Sequence, residues 1–410
     1  MQISDRIVYM TYRFFLTIAI TALLFGCSLP DTDEINGVIV FDNNKEYPTL
    51  DLKLSDIADI EFVKLEDSKE ALLTHPMIIR AYIDDNYILL GDKIPGDYDP
   101  DITKVYLFDR QGNYLRTICR GGRGPGELSS SYYDIMVTPD ARKILITQNF
   151  GDIMTFDFNG NLINYISSDN KHRNAATIGN NILLYYEMSQ FVSRYSGEEK
   201  YIDLKFPPLR IIDASDFSPI AYDTIRYDRP YNTNGTTSTG FPNLIYGKNG
   251  VFVNTLRSDT IHIIDKNLNI VPRVVTIGYK PNKFSGIVPL VEMDNYILFR
   301  SQKSDIFQRE EPSWQHYIYL KKNKKLYKIP FTDTKNKYLN DEIFLAQYTY
   351  TLNYNKHVRY IQYDLFADMQ SNPNAYQYYK DFPKNVQAII DTMNEDSNPI
   401  MMIITFKPLK

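Results

Sequence analysis

A repeated motif constrains the fold of this chain more than any other feature of its sequence. Phe-Asp-x-x-Gly-Asn occurs in Val105–Leu115 and again in Ile153–Ile163, displaced by 48 residues. Weaker copies follow, so that the four motif aspartates are Asp109, Asp157, Asp213 and Asp265. An aspartate can accept hydrogen bonds from the amides of its own turn, and Gly or Asn tolerates the positive φ of a tight reversal. Each copy therefore predicts two strands joined by a short turn.

The spacing of these copies predicts a β-propeller. Short apolar runs such as Tyr87–Leu90, Ile144–Ile146 and Val251–Val253 lie between the copies, which gives about four strands per period. A four-stranded unit of about 40 to 55 residues is the period of a propeller blade and not that of a helical solenoid. We predict an all-β fold of six blades, with seven as the alternative, in one domain over residues 37–410.

Composition agrees with this fold class and excludes one class of partner. The chain has 33 Tyr and 22 Phe among its 410 residues, and aromatic residues favour half-buried strands. The formal net charge is -5, which gives no basic surface for nucleic acid. No motif in the sequence predicts a cofactor.

The C-terminal region predicts one short helix followed by a closing strand. Pro383 suits a first helical turn, and an apolar stripe at helical spacing follows it, formed by Val386, Ile389, Ile390 and Met393. Residues 400–406 are typical of a fully buried strand. Because ring closure removes exposed sheet edges, we expect this strand to share a blade with Gly37–Phe41 or with Ile60–Leu65.

The N-terminus predicts export and lipidation. Residues 14–25 form an apolar core of signal-peptide size, whether translation starts at Met1 or at Met10, and they end in Leu24-Phe25-Gly26-Cys27. This tetrapeptide resembles the bacterial lipobox, whose cysteine is acylated and becomes the mature N-terminus. We predict a signal peptide over residues 1–26, acylation of Cys27, and a flexible acidic tether over residues 27–36. The expected location is the cell envelope, anchored by lipid and most consistent with the outer membrane.

Acylation of Cys27 would leave Cys119, the second of two cysteines, without a disulfide partner. Cys119 follows Ile118 at the end of an apolar run and is interpreted as a small buried hydrophobic residue.

Three segments resemble a known family, the six-bladed β-propeller lipoproteins related to NHL-repeat propellers. The first is Leu54–Glu66, with its Leu-Ser-Asp-Ile opening. The second pairs the motif at Phe108–Gly112 with Gly122-Arg123-Gly124-Pro125-Gly126-Glu127, and the third is the closing strand from Asn398 to Lys407. The resemblance implies a propeller fold and an envelope location, and it implies no particular activity.

The glycine-rich stretch Cys119–Leu128, CRGGRGPGEL, is similar in spacing to a phosphate-binding loop but differs in chemistry. A P-loop needs Lys and Ser or Thr after its last glycine, whereas Glu127 and Leu128 stand there. We interpret Gly122, Gly124, Pro125 and Gly126 as the structural motif of a blade-to-blade connection. Arg120, Arg123 and Glu127 are candidate binding residues at a propeller face.

The sequence predicts no metal site and no compact catalytic motif. The five histidines, His75, His172, His262, His316 and His357, are isolated from one another. The acidic segment Asp97–Asp101 lacks the Gly and Glu of an EF-hand and is interpreted as a solvated loop. No G-x-S-x-G nucleophile elbow is present.

The leading functional hypothesis is therefore a binding or scaffold platform for a protein, peptide or glycan, with catalysis not expected. The alternative is a carbohydrate-active hydrolase or lyase with its site in the axial channel of the propeller, and an assembly factor for membrane proteins is a third possibility.

Overall fold

Six β-sheets arranged as blades around a central axis make up the described part of the chain. The computed structural model describes residues 32–73, 80–92, 103–129, 132–138, 142–148, 152–167, 174–185, 209–223, 244–254, 258–279, 283–305, 313–330, 350–351, 353–363, 366, 376 and 379–410. The prediction of a six-bladed propeller is confirmed.

Five blades are each formed by four consecutive antiparallel strands. Blade 1 contains β4 (Arg80–Ile83), β5 (Tyr87–Asp92), β6 (Lys104–Asp109) and β7 (Tyr114–Arg120). Blade 2 contains β8 (Tyr132–Thr138), β9 (Lys143–Gln148), β10 (Ile153–Phe156) and β11 (Leu162–Ile166). Blade 3 contains β12 (Asn174–Ile178), β13 (Asn181–Tyr185), β14 (Leu209–Asp213) and β15 (Pro219–Asp223). Blade 4 contains β16 (Leu244–Gly247), β17 (Gly250–Val253), β18 (Thr260–Asp265) and β19 (Ile270–Ile277). Blade 5 contains β20 (Lys283–Glu292), β21 (Tyr296–Asp305), β22 (Ser313–Leu320) and β23 (Lys325–Ile329).

Blade 6 is closed by strands from both ends of the chain. It contains β25 (Lys356–Ile361), β26 (Ile400–Phe406) and β3 (Ala58–Lys64), and β26 pairs antiparallel with both of the others. The short strand β24 (Tyr350–Thr351) precedes β25 and pairs in parallel with β4 of blade 1. Of the two predicted partners of the closing strand, the one around Ile60–Leu65 is therefore confirmed.

The other predicted partner, Gly37–Phe41, was wrong and lies elsewhere. Strand β1 (Glu34–Ile35) pairs with β2 (Val38–Asp42), and β2 pairs in parallel with β19, the outer strand of blade 4. We call residues 32–50 the strap, because they run along the outer edges of blades 4 and 5 before β3 closes blade 6. The reason for this placement is that the outer edge of blade 4 is open, whereas β3 already occupies the edge of β26.

The strap is held by polar and aromatic contacts. The Asp33 carboxylate accepts a hydrogen bond from the backbone N–H of Leu326 (2.8 Å) and pairs with Lys45. Phe41 stacks on Tyr47 with ring centroids 5.3 Å apart. The described part of the predicted tether, residues 32–36, thus packs against the propeller, while residues 27–31 and the predicted signal peptide lie outside the described residues.

The motif turns connect the third and fourth strands of blades 1 to 4. In blade 2 the Asp157 carboxylate accepts hydrogen bonds from the backbone N–H groups of Asn159 and Asn161 and from the Asn161 side chain, each 2.8 Å long. These bonds hold the pKa of Asp157 below its usual value, the Asn161 side chain contributing most. Gly160 supplies the positive φ of 85°. In the two weaker copies Phe217 and Leu268 adopt positive φ instead.

The hydrophobic core consists of six clusters, each lying between two neighbouring blades, within the described residues. Helix α1 (Leu54–Ile57) precedes β3, and helix α2 (Lys384–Ile390) precedes the closing strand. Helix α2 buries Val386 and Ile390 in the cluster between blades 5 and 6, which confirms the predicted C-terminal helix. Neither described helix has the length and hydropathy needed to cross a bilayer.

Candidate functional site

The two faces of the propeller differ in the length of their connections. The first strand of each blade turns into the second, and the third into the fourth, through two to five residues in blades 1 to 5. We call the face with these turns the turn face. Connections at the opposite face are longer in several blades, such as the 23 residues 186–208, the 20 residues 224–243 and the 20 residues 330–349. This second face, which we call the loop face, is where sequence variation can add binding groups to a fixed scaffold.

The glycine-rich stretch lies at the loop face, as the connection from β7 of blade 1 to β8 of blade 2. Gly121 and Leu128 form a parallel bridge, and the backbone N–H of Gly122 donates to the Leu128 carbonyl (3.0 Å). Leu128 is fully buried in the cluster shared by blades 1 and 2. Gly126 adopts a φ of 79°, which a residue with a Cβ rarely adopts. The loop therefore fastens one blade to the next.

The carboxylate of Glu127 fills the centre of this loop. It accepts hydrogen bonds from the Gly124 backbone N–H (2.8 Å) and from Nε of Arg120 (3.1 Å), and these two donors lower the pKa of Glu127. A Cβ on Gly122 would lie 2.1 Å from Glu127 Oε2. The space in which a P-loop would hold a phosphate is thus taken by an acid of the chain itself.

The three candidate binding residues have different environments. Glu127 is turned into the loop, Arg120 is mostly exposed although it pairs with Glu127, and Arg123 is exposed at the tip. The structure therefore brings Arg120 and Glu127 together and presents Arg123 to solvent at the loop face on a backbone fixed by hydrogen bonds.

Sequence reasoning missed a set of buried polar residues on the second strands. In blades 1 and 2 the second strand ends at the loop face in a buried Asp92 or Gln148, and in blade 4 the buried Asn254 directly follows it. Buried Arg300 and Arg359 lie on β21 of blade 5 and on β25 of blade 6. Burying such groups is unfavourable unless they are hydrogen-bonded. Their signal in the sequence is a single polar residue inside or at the end of an apolar run, as in Ile297–Ser301.

Three basic residues meet between blades 5 and 6. Arg300 on β21 pairs in register with His316 on β22. By the alternation of side chains along a strand, both share the side of the sheet on which Leu298 and Ile318 pack between blades 5 and 6. From β25 of blade 6, Nε2 of His357 donates a hydrogen bond to the Leu290 carbonyl on β20 (3.1 Å). Burial lowers the pKa of His316 to about 3 and that of His357 to about 4, and the charge of Arg300 lowers both. Both histidines are therefore neutral in the folded protein at neutral pH.

Replacing His316 with glutamine is expected to weaken the dependence of stability on acid pH. The folded pKa of His316 lies below its unfolded value of about 6.5, so the unfolded chain takes up the proton first and stability is lost as pH falls from 6.5. The free energy of unfolding of the variant should fall less steeply than that of the wild type, by about 1.4 kcal/mol per pH unit between pH 6 and 4. Denaturant unfolding at several pH values measures both slopes, and equal slopes would contradict a neutral buried His316.

A family model covers nearly all of this propeller. It matches residues 37–405 and describes a domain of unknown function, DUF4934. The chain belongs to the DUF4934 family. Comparison with curated proteins gives no match.

Three solved structures align with this DUF4934 chain over most of its length. A crystal structure of a Bacteroides fragilis protein designated as exported aligns with a TM-score of 0.61 and 16% identity, over 90% of this chain and 100% of that chain. A Saccharomyces cerevisiae complex of Dbp5 with Nup159 and Gle1 aligns with a TM-score of 0.39 and 8% identity, over 78% of this chain and 76% of that chain. The β-propeller domain of Myceliophteria thermophila Cps50 aligns with a TM-score of 0.34 and 10% identity, over 62% of this chain and 86% of that chain. Only the Bacteroides fragilis structure is similar enough to support an argument, and at 16% identity this argument concerns the fold alone.

The remaining candidate residues of the DUF4934 chain are its cysteines, its histidines and an acidic segment. Cys119 is a buried free cysteine whose pKa is raised by burial, so its interpretation as a buried hydrophobic residue is confirmed. Within the described ranges no three residues among His, Cys, Asp and Glu are placed to hold a metal ion. Cys27, His75, His172 and the acidic segment Asp97–Asp101 lie outside the described residues.

Proposed function

We propose that this DUF4934 protein is a lipid-anchored envelope protein whose propeller presents its loop face to a protein, peptide or glycan partner and catalyses no reaction. The observation that carries the proposal is the difference in length between the strand connections of the two faces. Short turns lie on one face, and the long connections lie on the other. A rigid scaffold with variable loops on one side is the usual design of a binding platform.

The position of the strap supports the same orientation. Oγ1 of Thr32 donates a hydrogen bond to the carbonyl of Lys324 (2.9 Å), and the backbone N–H of Asp33 donates to the same carbonyl (2.8 Å). Lys324 lies in the turn between β22 and β23, at the turn face. An anchor at Cys27 would reach the propeller from this side, since five extended residues span about 17 Å at most. The loop face would then point away from the membrane.

Replacement of Cys27 with alanine tests the anchor. The acyl chains hold the protein on the membrane through buried methylenes, so the variant is expected to lose fatty-acid labelling and to appear in the soluble fraction or as an uncleaved precursor. Membrane fractionation combined with radiolabelled fatty acid measures both effects. Fatty-acid labelling of the variant at the wild-type level would contradict acylation of Cys27.

Photo-cross-linking in intact cells tests the platform. We expect a photoreactive amino acid in place of Arg123, exposed at the loop face, to give adducts of defined mass that are sensitive to protease or glycosidase. The same amino acid in place of Lys266, exposed in a turn of blade 4, serves as the control and should give none. Equal adducts from both faces would contradict the proposal. Release of products from envelope polysaccharides by the purified protein would favour the carbohydrate-active alternative.

A further inference from the structure

The outer strands of the six blades are protected against pairing in different ways. An exposed outer strand is a template for another chain, and proteins usually cover it or place charges or proline in it. The strap covers two of them: β2 pairs with β19 of blade 4, and the backbone of Lys328 in β23 of blade 5 exchanges hydrogen bonds with Pro48 and Leu50.

Three other outer strands carry protective residues of their own. Strand β7 contains Arg116 and Arg120, β15 begins with Pro219, and β3 contains Asp59, Glu61 and Lys64. Charges and proline at these positions oppose the addition of a further strand.

Strand β11 of blade 2 has neither kind of protection. Its sequence, Leu-Ile-Asn-Tyr-Ile, contains no charge and no proline, and within the described residues its sheet ends at this strand. Leu162, Ile163 and Tyr165 are exposed by 39%, 50% and 48%, respectively. The edge is therefore apolar on both faces of the strand.

Strand β11 also directs a hydrogen-bond donor outward. The backbone N–H of Tyr165 donates to the side-chain Oδ1 of Asn164 (2.9 Å), the residue just before it, and so does not take part in the ladder with β10. An incoming strand can replace the Asn164 side chain at this donor.

The strap shows what chemistry covers such an edge in this protein. Residues Ile39–Asp42 pair in parallel with Val274–Ile277 of β19, which follow a bulge in that strand, and the strap buries Ile39 and Phe41 at alternate positions. Strand β11 has a bulge of the same kind, between its pairings with Thr155 and Phe156, and Asn164–Ile166 follow it in regular register. A bulge therefore does not prevent the addition of a strand.

We propose that the outer edge of β11 is a docking site for an extended segment of a partner protein, which adds to blade 2 as a fifth strand. The segment has the chemistry of Val38–Phe41, uncharged with β-branched or aromatic residues at alternate positions. Main-chain hydrogen bonds provide the affinity in this mode of recognition, and side chains provide the specificity. A second folded copy is a poorer occupant, because a five-residue edge buries far less than the roughly 1,000 Å² that a stable interface needs. This surface is separate from the loop face.

A labelled peptide with the strap sequence Gly37–Asn43, followed by two lysines for solubility, is the probe. We expect saturable binding to the purified full chain, measured by fluorescence anisotropy. Hydrogen exchange of the backbone amides of Asn164–Ile166 should slow when the peptide is present.

Two substitutions test the site by different means. Tyr165→Pro removes the outward N–H, and Ile163→Lys places a charge on an exposed position; each is expected to weaken peptide binding by about tenfold or more. Ile220→Lys on β15 is the matched control, since Ile220 is similarly exposed on an outer strand that already has a proline. Its affinity for the peptide should equal that of the wild type. Circular dichroism and thermal unfolding establish that each variant is folded.

Three results would overturn the proposal. The first is peptide binding that is absent from the wild type or unchanged by both β11 substitutions. The second is faster exchange of the chain's own strap amides at Ile39–Asp42 with no change at Asn164–Ile166, which would mean that the peptide replaces the strap on β19. The third is a dimer in sedimentation that Ile163→Lys abolishes, which would assign the edge to a second copy of the chain.

Discussion

Replacing Gly112 with alanine is expected to lower the free energy of unfolding by about 3 kcal/mol. Gly112 has a φ of 90°, and a Cβ there would lie 2.2 Å from the carbonyl oxygen of Lys64 and 2.9 Å from Cγ1 of Val63. The positive φ alone disfavours alanine by about 1 kcal/mol. The remaining loss comes from moving backbone, because Lys64 ends the strand that closes the ring and the Glu66 N–H donates to the Gly112 carbonyl (2.9 Å).

Gly160 provides a matched control for this effect. It occupies the same position of the same motif in blade 2, with a φ of 85°, but its nearest neighbours would lie 3.4 Å from an added Cβ. Gly160→Ala should therefore lower the free energy of unfolding by the cost of the positive φ alone, about 1 kcal/mol. Denaturant unfolding of both variants separates this cost from that of the contact with Lys64 and Val63. Equal losses would mean that the contact between Gly112 and β3 adds nothing to stability.

The contrast between these glycines also shows which part of the fold was predictable. The turn itself is local: Asp157, Gly160 and Asn161 define it within five residues. The repeat of that motif, together with the short apolar runs between its copies, predicted four-stranded blades. The strap was not predictable in the same way. The pairing of Val38–Asp42 with β19 depends on which outer edge remains open once the ring has closed, and no local pattern in either segment encodes that.

The candidate site likewise has one part that the sequence predicted and one part that it did not. Glu127 stands where a P-loop has its lysine, and this was enough to exclude a phosphate-binding loop from the sequence alone. The structure adds that the Glu127 carboxylate accepts a hydrogen bond from the Gly124 backbone N–H. In the sequence, His316 and His357 were interpreted only as isolated histidines, and Arg300 was not identified as a candidate residue. The contact of Arg300 and His316 with His357 depends on the packing of blade 5 against blade 6, and strand patterns give no information on that packing.

Replacing Asn398 with alanine is expected to lower the free energy of unfolding by about 3 to 5 kcal/mol, because it leaves several buried backbone groups without partners. The fully buried Asn398 side chain donates to the carbonyls of Glu66 (2.6 Å) and Ala71 (2.9 Å) and accepts from the N–H of Leu73 (2.8 Å). These bonds join the segment before the closing strand to the chain that leads into blade 1.

Two further variants separate the hydrogen bonds of Asn398 from the effect of a smaller side chain. Asn398→Asp keeps an acceptor for Leu73 but places a carboxylate against the carbonyls of Glu66 and Ala71, so near pH 7 it should be at least as destabilising as alanine. Asn394→Ala alters an exposed asparagine of the same connection, whose side chain accepts from Asp396 and Ser397, and should remove about 1 kcal/mol or less. If Asn398→Ala were no more harmful than Asn394→Ala in denaturant unfolding, the side chain of Asn398 would not be what holds the ends of the ring together.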